Sequence, residues 1–174
     1  KELPVGVAKG EFDVLTKMEA LWLPAVKPIG YVGIQTDTRN NSFIITQYLE
    51  QALPYRMLFM QSNLNRYREH LLGALAGLLV QLHLAGIFWG DCSLSNTLFR
   101  RDAGTLQAYL VDAETTEVHP PPLAPMLRYH DLEIMEENLD TDFSNHTENE
   151  LLPAHIPMSE TGASVRQRYR DLWS

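Results

Sequence analysis

The chain has one cysteine, Cys92, so an internal disulfide is excluded. A lone thiol suits a reducing compartment, and the expected location is cytoplasmic. Cationic residues are scarce, 14 Lys and Arg against 22 Asp and Glu for a net charge of −8. That balance argues against a nonspecific nucleic-acid binder, which would present a basic surface. It does not exclude an anionic small ligand, because a local lysine, backbone amides or a cation can reverse the sign within a site. No apolar run approaches the ~20 residues needed to cross a bilayer. The best candidate, residues 71–80, is bounded by Arg66, Arg68, Glu69 and His70 and interrupted by Gln81 and His83. It reads as a buried core helix, and no transmembrane span is expected. Internal repeats and a glycine-rich turn are both missing. The first residue is Lys1 rather than methionine, so a trimmed piece is expected and no targeting signal is read from it.

What is present fits one soluble domain: 174 residues, 45% hydrophobic and 21% charged, enough to bury a real core. Its most informative stretch is 82–112. There Asp91 is followed five positions later by Asn96, and an apolar run ends at Asp112. Phosphoryl transfer uses this layout: one carboxylate orients a hydroxyl, while an amide oxygen and a second carboxylate hold a metal against phosphates. The Asp-x-x-x-x-Asn spacing alone is common, and a turn or helix-cap aspartate is its bland reading. A buried helix before it and a strand-turn-strand ending in aspartate after it make the pattern specific. Cys92, in the same loop, has no basic neighbour in sequence and reads as a packed thiol.

Around this stretch, Phe12, Leu15, Met18 and Leu21 or Trp22 recur at helical spacing over 8–23, until Pro24. Residues 26–34 and 42–46 read as strands flanking a polar turn. After Pro54, an apolar segment (57–60) precedes a long helix over 64–85, which Gly86 caps. A hairpin pairs 97–99 with 106–111, and a proline-rich extended stretch runs over 119–125. A helix over 126–139 places Leu132, Met135 and Leu139 on one face. Residues 140–164 are acidic and broken by Pro153 and Pro157, so they read as irregular. A short basic amphipathic helix closes the chain over 165–174.

Leu82-His83, Ala85-Gly86-Ile87, Asp91, Asn96 and Leu98 resemble the run into and through the catalytic loop of the protein-kinase-like superfamily. The texture of "GDCSLSNTLF" and "YLVDAET" is most similar to bacterial lipopolysaccharide-kinase-like proteins and a related bacterial family of unassigned substrate. The resemblance implies an α+β fold, with 1–50 as a partial small lobe and hinge lacking its first strands, and 51–174 as a mainly helical lobe. It implies ATP and Mg2+ as cofactors and transfer of the γ-phosphate to a hydroxyl, of a lipopolysaccharide sugar or another small molecule. Asp91 would position the acceptor, with Asn96 and Asp112 on the metal and Glu114 a further candidate ligand. Lys1 would contact phosphates and pair with Glu11, for which Glu19 is the competitor. Thr46 would sit behind the adenine, with the Gln47 carbonyl and the Leu49 amide facing it. Asp131 would bind catalytic-loop amides, or else be a solvated helix carboxylate, and His83 would be packed rather than catalytic. Two departures stand out: Trp89-Gly90 replaces the usual His-Arg, and Asp112-Ala113-Glu114 replaces Asp-Phe-Gly. They motivate the alternative of a nucleotide-binding pseudokinase or interaction module without turnover.

Overall fold

The computed structural model describes residues 1–4, 6–36, 40–55, 57, 64–102, 104–147 and 161–174. Strands β1 (Glu2–Pro4), β2 (Pro28–Gln35) and β3 (Asn40–Thr46) form an antiparallel sheet in the order β1-β3-β2. Helix α1 (Val7–Ala20) lies against it. The buried positions of α1 are Ala8, Glu11, Leu15 and Met18, a three-to-four spacing that makes one stripe facing the sheet. Ser42 fastens the two together, since its hydroxyl accepts from the Ala8 amide at 3.2 Å and donates to the Pro4 carbonyl at 2.6 Å.

The periodicity carries α1 to residue 23, but the helix ends at Ala20 and Trp22 adopts a left-handed φ of 56°. Trp22 is 93% exposed, so neither it nor the half-exposed Leu21 belongs to the apolar face. The chain must turn there because residues 24–26 lie along another strand. The Leu110 amide donates to the Pro24 carbonyl at 3.0 Å, and the Val26 amide to the Leu110 carbonyl at 2.9 Å. For the same reason β2 starts at Pro28 rather than at residue 26.

Beyond β4 (Leu53–Pro54) come α2 (Leu64–Leu84), β5 (Ile87–Phe88), the hairpin β6 (Thr97–Asp102) with β7 (Thr105–Leu110), and β8 (Glu117–Val118). Two helices follow, α3 (Pro125–Thr147) and α4 (Thr161–Trp173). The sheet order is β4-β6-β7 for one and β5-β8 for the other, with all pairs antiparallel. Leu72, Leu75, Ala76, Leu79 and Leu82 of α2 are fully buried. Each such leucine contributes about 1.5–3 kcal/mol, so α2 is the centre on which β7 and α4 pack. Among the described residues no helix is long and apolar enough to cross a membrane.

The C-terminal part corrects two sequence expectations. Residues 140–147 and 161–164 are helical rather than irregular, while 148–160 lie outside the described residues, as do 58–60 of the segment after Pro54. The acidic composition of 140–147 is compatible with helix because Asp142 has backbone partners to satisfy, described below. Helix α4 docks through Arg166, which pairs with Glu136 of α3 (Nε to Oε1 2.7 Å). Tyr169 and Trp173 stack against each other, and the Arg128 guanidinium lies 4.0 Å from the Trp173 ring centroid.

Candidate active site

Helix α2 ends at Leu84 and the chain turns at Gly86, whose φ of 78° is left-handed and where a Cβ would collide with the His119 carbonyl. The chain then enters the loop 89–96. At Gly90 the backbone again takes a φ of 78°, and a Cβ there would stand 2.8 Å from the Thr115 carbonyl. A side chain at this position is therefore excluded twice, by φ and by space. This accounts physically for Gly90 where protein kinases place an arginine. Trp89, in the histidine position, is wholly buried. Its indole N–H donates to the Asp112 carbonyl at 3.3 Å, and its own carbonyl accepts from the Thr115 hydroxyl at 3.0 Å. The indole thus joins the loop to the strand end that carries Asp112.

Asp131 of α3, fully buried, holds the loop from below. Its carboxylate accepts from the amides of Trp89 at 2.8 Å and Gly90 at 2.9 Å. His83 Nε2 lies 3.0 Å from the same carboxylate, and His83 Nδ1 lies 2.9 Å from the Tyr169 hydroxyl. Asp131 is thus an amide-binding carboxylate and not a solvated one. His83 is a fully buried link between α4 and the loop, with both ring nitrogens engaged inside the core. The Cys92 thiol is buried as well; desolvation, with the nearby charges of Asp131, Asp91 and Asp142, pushes its pKa well up. It stays a packed thiol and not a nucleophile.

Asp91 and Asn96 meet directly. Asn96 Nδ2 donates to Asp91 Oδ2 at 2.7 Å and to the Asp91 carbonyl at 3.2 Å. Both bonds use the amide nitrogen and leave out Oδ1, the Asn96 side-chain atom able to ligate a hard cation. The Asn96 carbonyl accepts from the Val111 amide at 3.1 Å, which brings Asp112, the next residue, alongside the loop.

Asp112 carries the second cluster. Lys1 Nζ is 2.6 Å from both Asp112 oxygens and 2.8 Å from Glu114 Oε2, while Glu11 Oε2 is 3.8 Å away. Burial pulls on the Lys1 pKa most strongly and downward. The hydrogen bonds to Asp112 and Glu114 and the charges of Glu11 and Asp112 outweigh it, and the net shift is upward. Glu11, its side chain 2% exposed, accepts from the Ala113 amide at 3.2 Å through Oε1. Desolvation raises its pKa against the lowering effects of that amide and of Lys1. Glu19 instead pairs with Lys27 on the surface. Glu11, not Glu19, faces the site.

The remaining candidates stand elsewhere. Thr46 ends β3 opposite Pro28. The Gln47 amide donates to the Lys27 carbonyl at 2.8 Å, and the Leu49 carbonyl accepts from Ala52 at 3.4 Å. Gln47 and Leu49 line a cavity of about 300 Å³ together with Ala25, Lys27 and Arg100. None of Lys1, Glu11, Asp91, Asn96 or Asp112 is part of that lining.

Two residues of α3 carry no motif and emerge only in three dimensions. Asn138 Nδ2 donates to Asp91 Oδ1 at 2.9 Å and to the Cys92 carbonyl at 3.2 Å. Asp142 accepts from the Leu94 amide at 3.0 Å, the Ser95 amide at 3.3 Å and the Ser95 hydroxyl at 2.5 Å. Their only sequence signal is a polar stripe, since 131, 138 and 142 share one helical face at steps of seven and four.

The model of the lipopolysaccharide kinase (Kdo/WaaP) family matches residues 1–154, and the chain belongs to that family. Among solved structures it is similar to "WaaP in complex with acyl carrier protein", with 16% identity and a TM-score of 0.57, covering 96% of this chain and 77% of that one. A likeness at that identity shows the fold, α+β as expected. No curated protein matches the chain. Membership makes it a kinase-like phosphotransferase, in keeping with the resemblance drawn from residues 82–114.

Proposed function

We propose that the chain moves the γ-phosphate of ATP to a hydroxyl of a lipopolysaccharide sugar or a similar small acceptor, with Asp91 as the group that orients and deprotonates that hydroxyl. The observation that carries this reading is the convergence of loop 89–96 and the end of β7. Asn96 bonds Asp91 directly, and backbone bonds from the Val111 amide to the Asn96 carbonyl and from the Trp89 indole to the Asp112 carbonyl hold Asp112 alongside them. In this reading residues up to about 50 form the small lobe and hinge, and the helical remainder carries the catalytic loop.

The donor set fits Mg2+. That ion keeps several waters and takes one or two protein oxygens together with phosphate oxygens rather than an all-protein cage. The Asn96 amide oxygen and the partly exposed Asp112 carboxylate supply two hard oxygens. Among the described residues no group of three or more His, Cys, Asp and Glu forms a cage, so phosphate oxygens would complete the shell. Bound there, the ion would neutralise charge on the phosphates.

The chain's own residues do the rest. Asp91 accepts the hydroxyl proton as the acceptor oxygen attacks the γ-phosphorus, the bond to the β-phosphate oxygen breaks, and ADP leaves. Lys1 exchanges Asp112 for nucleotide phosphates while Glu11 keeps its ammonium in place. Thr46, Gln47 and Leu49 border the adenine.

Titration with ATP tests the first half. ATP with magnesium raises the melting temperature by mass action, ATP with EDTA raises it less, and Asp112→Asn removes the difference. Equal shifts with magnesium and with EDTA would exclude Asp112 as a metal ligand. No shift with either would exclude the nucleotide. Labelled phosphate recovered on lipopolysaccharide core sugars tests the acceptor, and its absence there in an active enzyme would exclude that class.

A further inference from the structure

Three polar side chains of α3 hold the loop 89–96 along its length, and their chemistry divides. Asp131 and Asp142 are acids that hold backbone amides. Asn138 lies between them and does the opposite. It is a neutral donor whose Nδ2 grips the Asp91 carboxylate at 2.9 Å and the Cys92 carbonyl at 3.2 Å. With Asn96 on Oδ2 and Asn138 on Oδ1, the carboxylate is fixed at both ends by one amide each.

Resting on the phosphotransfer reading, we infer that Asn138 is a positioning residue for the reaction, acting through Asp91. Each carboxylate oxygen has two lone pairs. One hydrogen bond per oxygen therefore fixes the plane of the group and still leaves acceptor capacity for a substrate hydroxyl. The residue type follows from the same contact. A carboxylate at 138 would repel Asp91 across 2.9 Å, and a lysine would neutralise the charge that has to receive the proton. An asparagine orients without doing either. Its second bond, to Cys92, fixes the amide against the loop so that the Asp91 bond is not spent on orienting Asn138 itself.

The test uses the full chain, MgATP and ADP release as the probe. Asn138→Ala is expected to lower kcat roughly 10- to 100-fold, the scale of a misaligned reacting group, with KM for MgATP and nucleotide affinity within about twofold of wild type. The isosteric Asn138→Asp, which keeps the volume and turns a donor into a repelling charge, lowers kcat at least as much and serves if the alanine variant fails to fold. In an Asp91→Asn background, Asn138→Ala costs less than about twofold further, because it has nothing left to orient. A kcat unchanged in both single variants overturns the inference, and so does the same fold-loss in both backgrounds. Wild-type protein that binds MgATP but releases no ADP overturns the phosphotransfer reading and this inference together; an active wild type with additive losses overturns the inference alone.

Discussion

The Lys1 cluster and the Asp91 loop are neighbours built on opposite principles. Around Lys1, attraction between formal charges holds Asp112, Glu114 and Glu11 to one ammonium, and the lysine and the first two acids are about a third exposed. Around Asp91, neutral side-chain amides hold the carboxylate, and side chains on the inward face of α3 hold the backbone N–H groups of the loop. In the proposed reading, the first arrangement has partners that a nucleotide and a cation would exchange, and the second is held in its working shape beforehand. Ligand-dependent change would then belong to the first, and preorganisation, where much catalytic stabilisation originates, to the second.

The largest effect should come from breaking the rigid half. Asp131→Ala leaves two loop amides and His83 without their acceptor, a loss of about 3–5 kcal/mol as for other broken buried pairs. Chemical denaturation measures it, and a loss below about 1 kcal/mol would place the loop's support elsewhere. Smaller is Tyr169→Phe, which removes one hydrogen bond to His83 at about 0.5–1.5 kcal/mol and leaves nucleotide affinity unchanged. A change in affinity would mean that α4 reaches the exchangeable cluster.

Smallest in stability, and the sharpest test of the contrast, is Glu11→Gln. Burial raises the Glu11 pKa, so the folded chain binds this proton more tightly than the unfolded one. The Glu11 contribution to stability is then fully present at low pH and is lost as pH rises from the ordinary glutamate range through the raised value. Melting temperature against pH should be flatter for Glu11→Gln, with stability at neutral pH equal to or above wild type and MgATP binding weaker. An unchanged slope would remove the cost assigned to this carboxylate.

How much could be read beforehand differs between the halves. The nearness of Asp91, Asn96 and Asp112 was legible because chain connectivity constrains their separation: loop, hairpin and strand end leave little freedom. Glu11 and Glu19 were not told apart by the sequence, whose apolar repeat ran through Phe12; burial of Glu11 on the stripe Ala8-Glu11-Leu15-Met18 decides between them. Asn138 and Asp142 were not legible. On a solvated helix the same residues are ordinary, and only the packing of α3 under the loop gives them partners. The same contacts extend α3 past residue 139, where composition alone suggested irregular chain. Gln47 and Leu49 were assigned through backbone groups, which leave no mark on residue type.

The central claim concerns Asp91, and single-turnover phosphate transfer from MgATP, measured beside nucleotide affinity, tests it most directly. Asp91→Asn should bind MgATP as wild type does and transfer at least ~10²-fold more slowly, the usual loss for a missing base. Transfer at the wild-type rate in that variant would contradict the account.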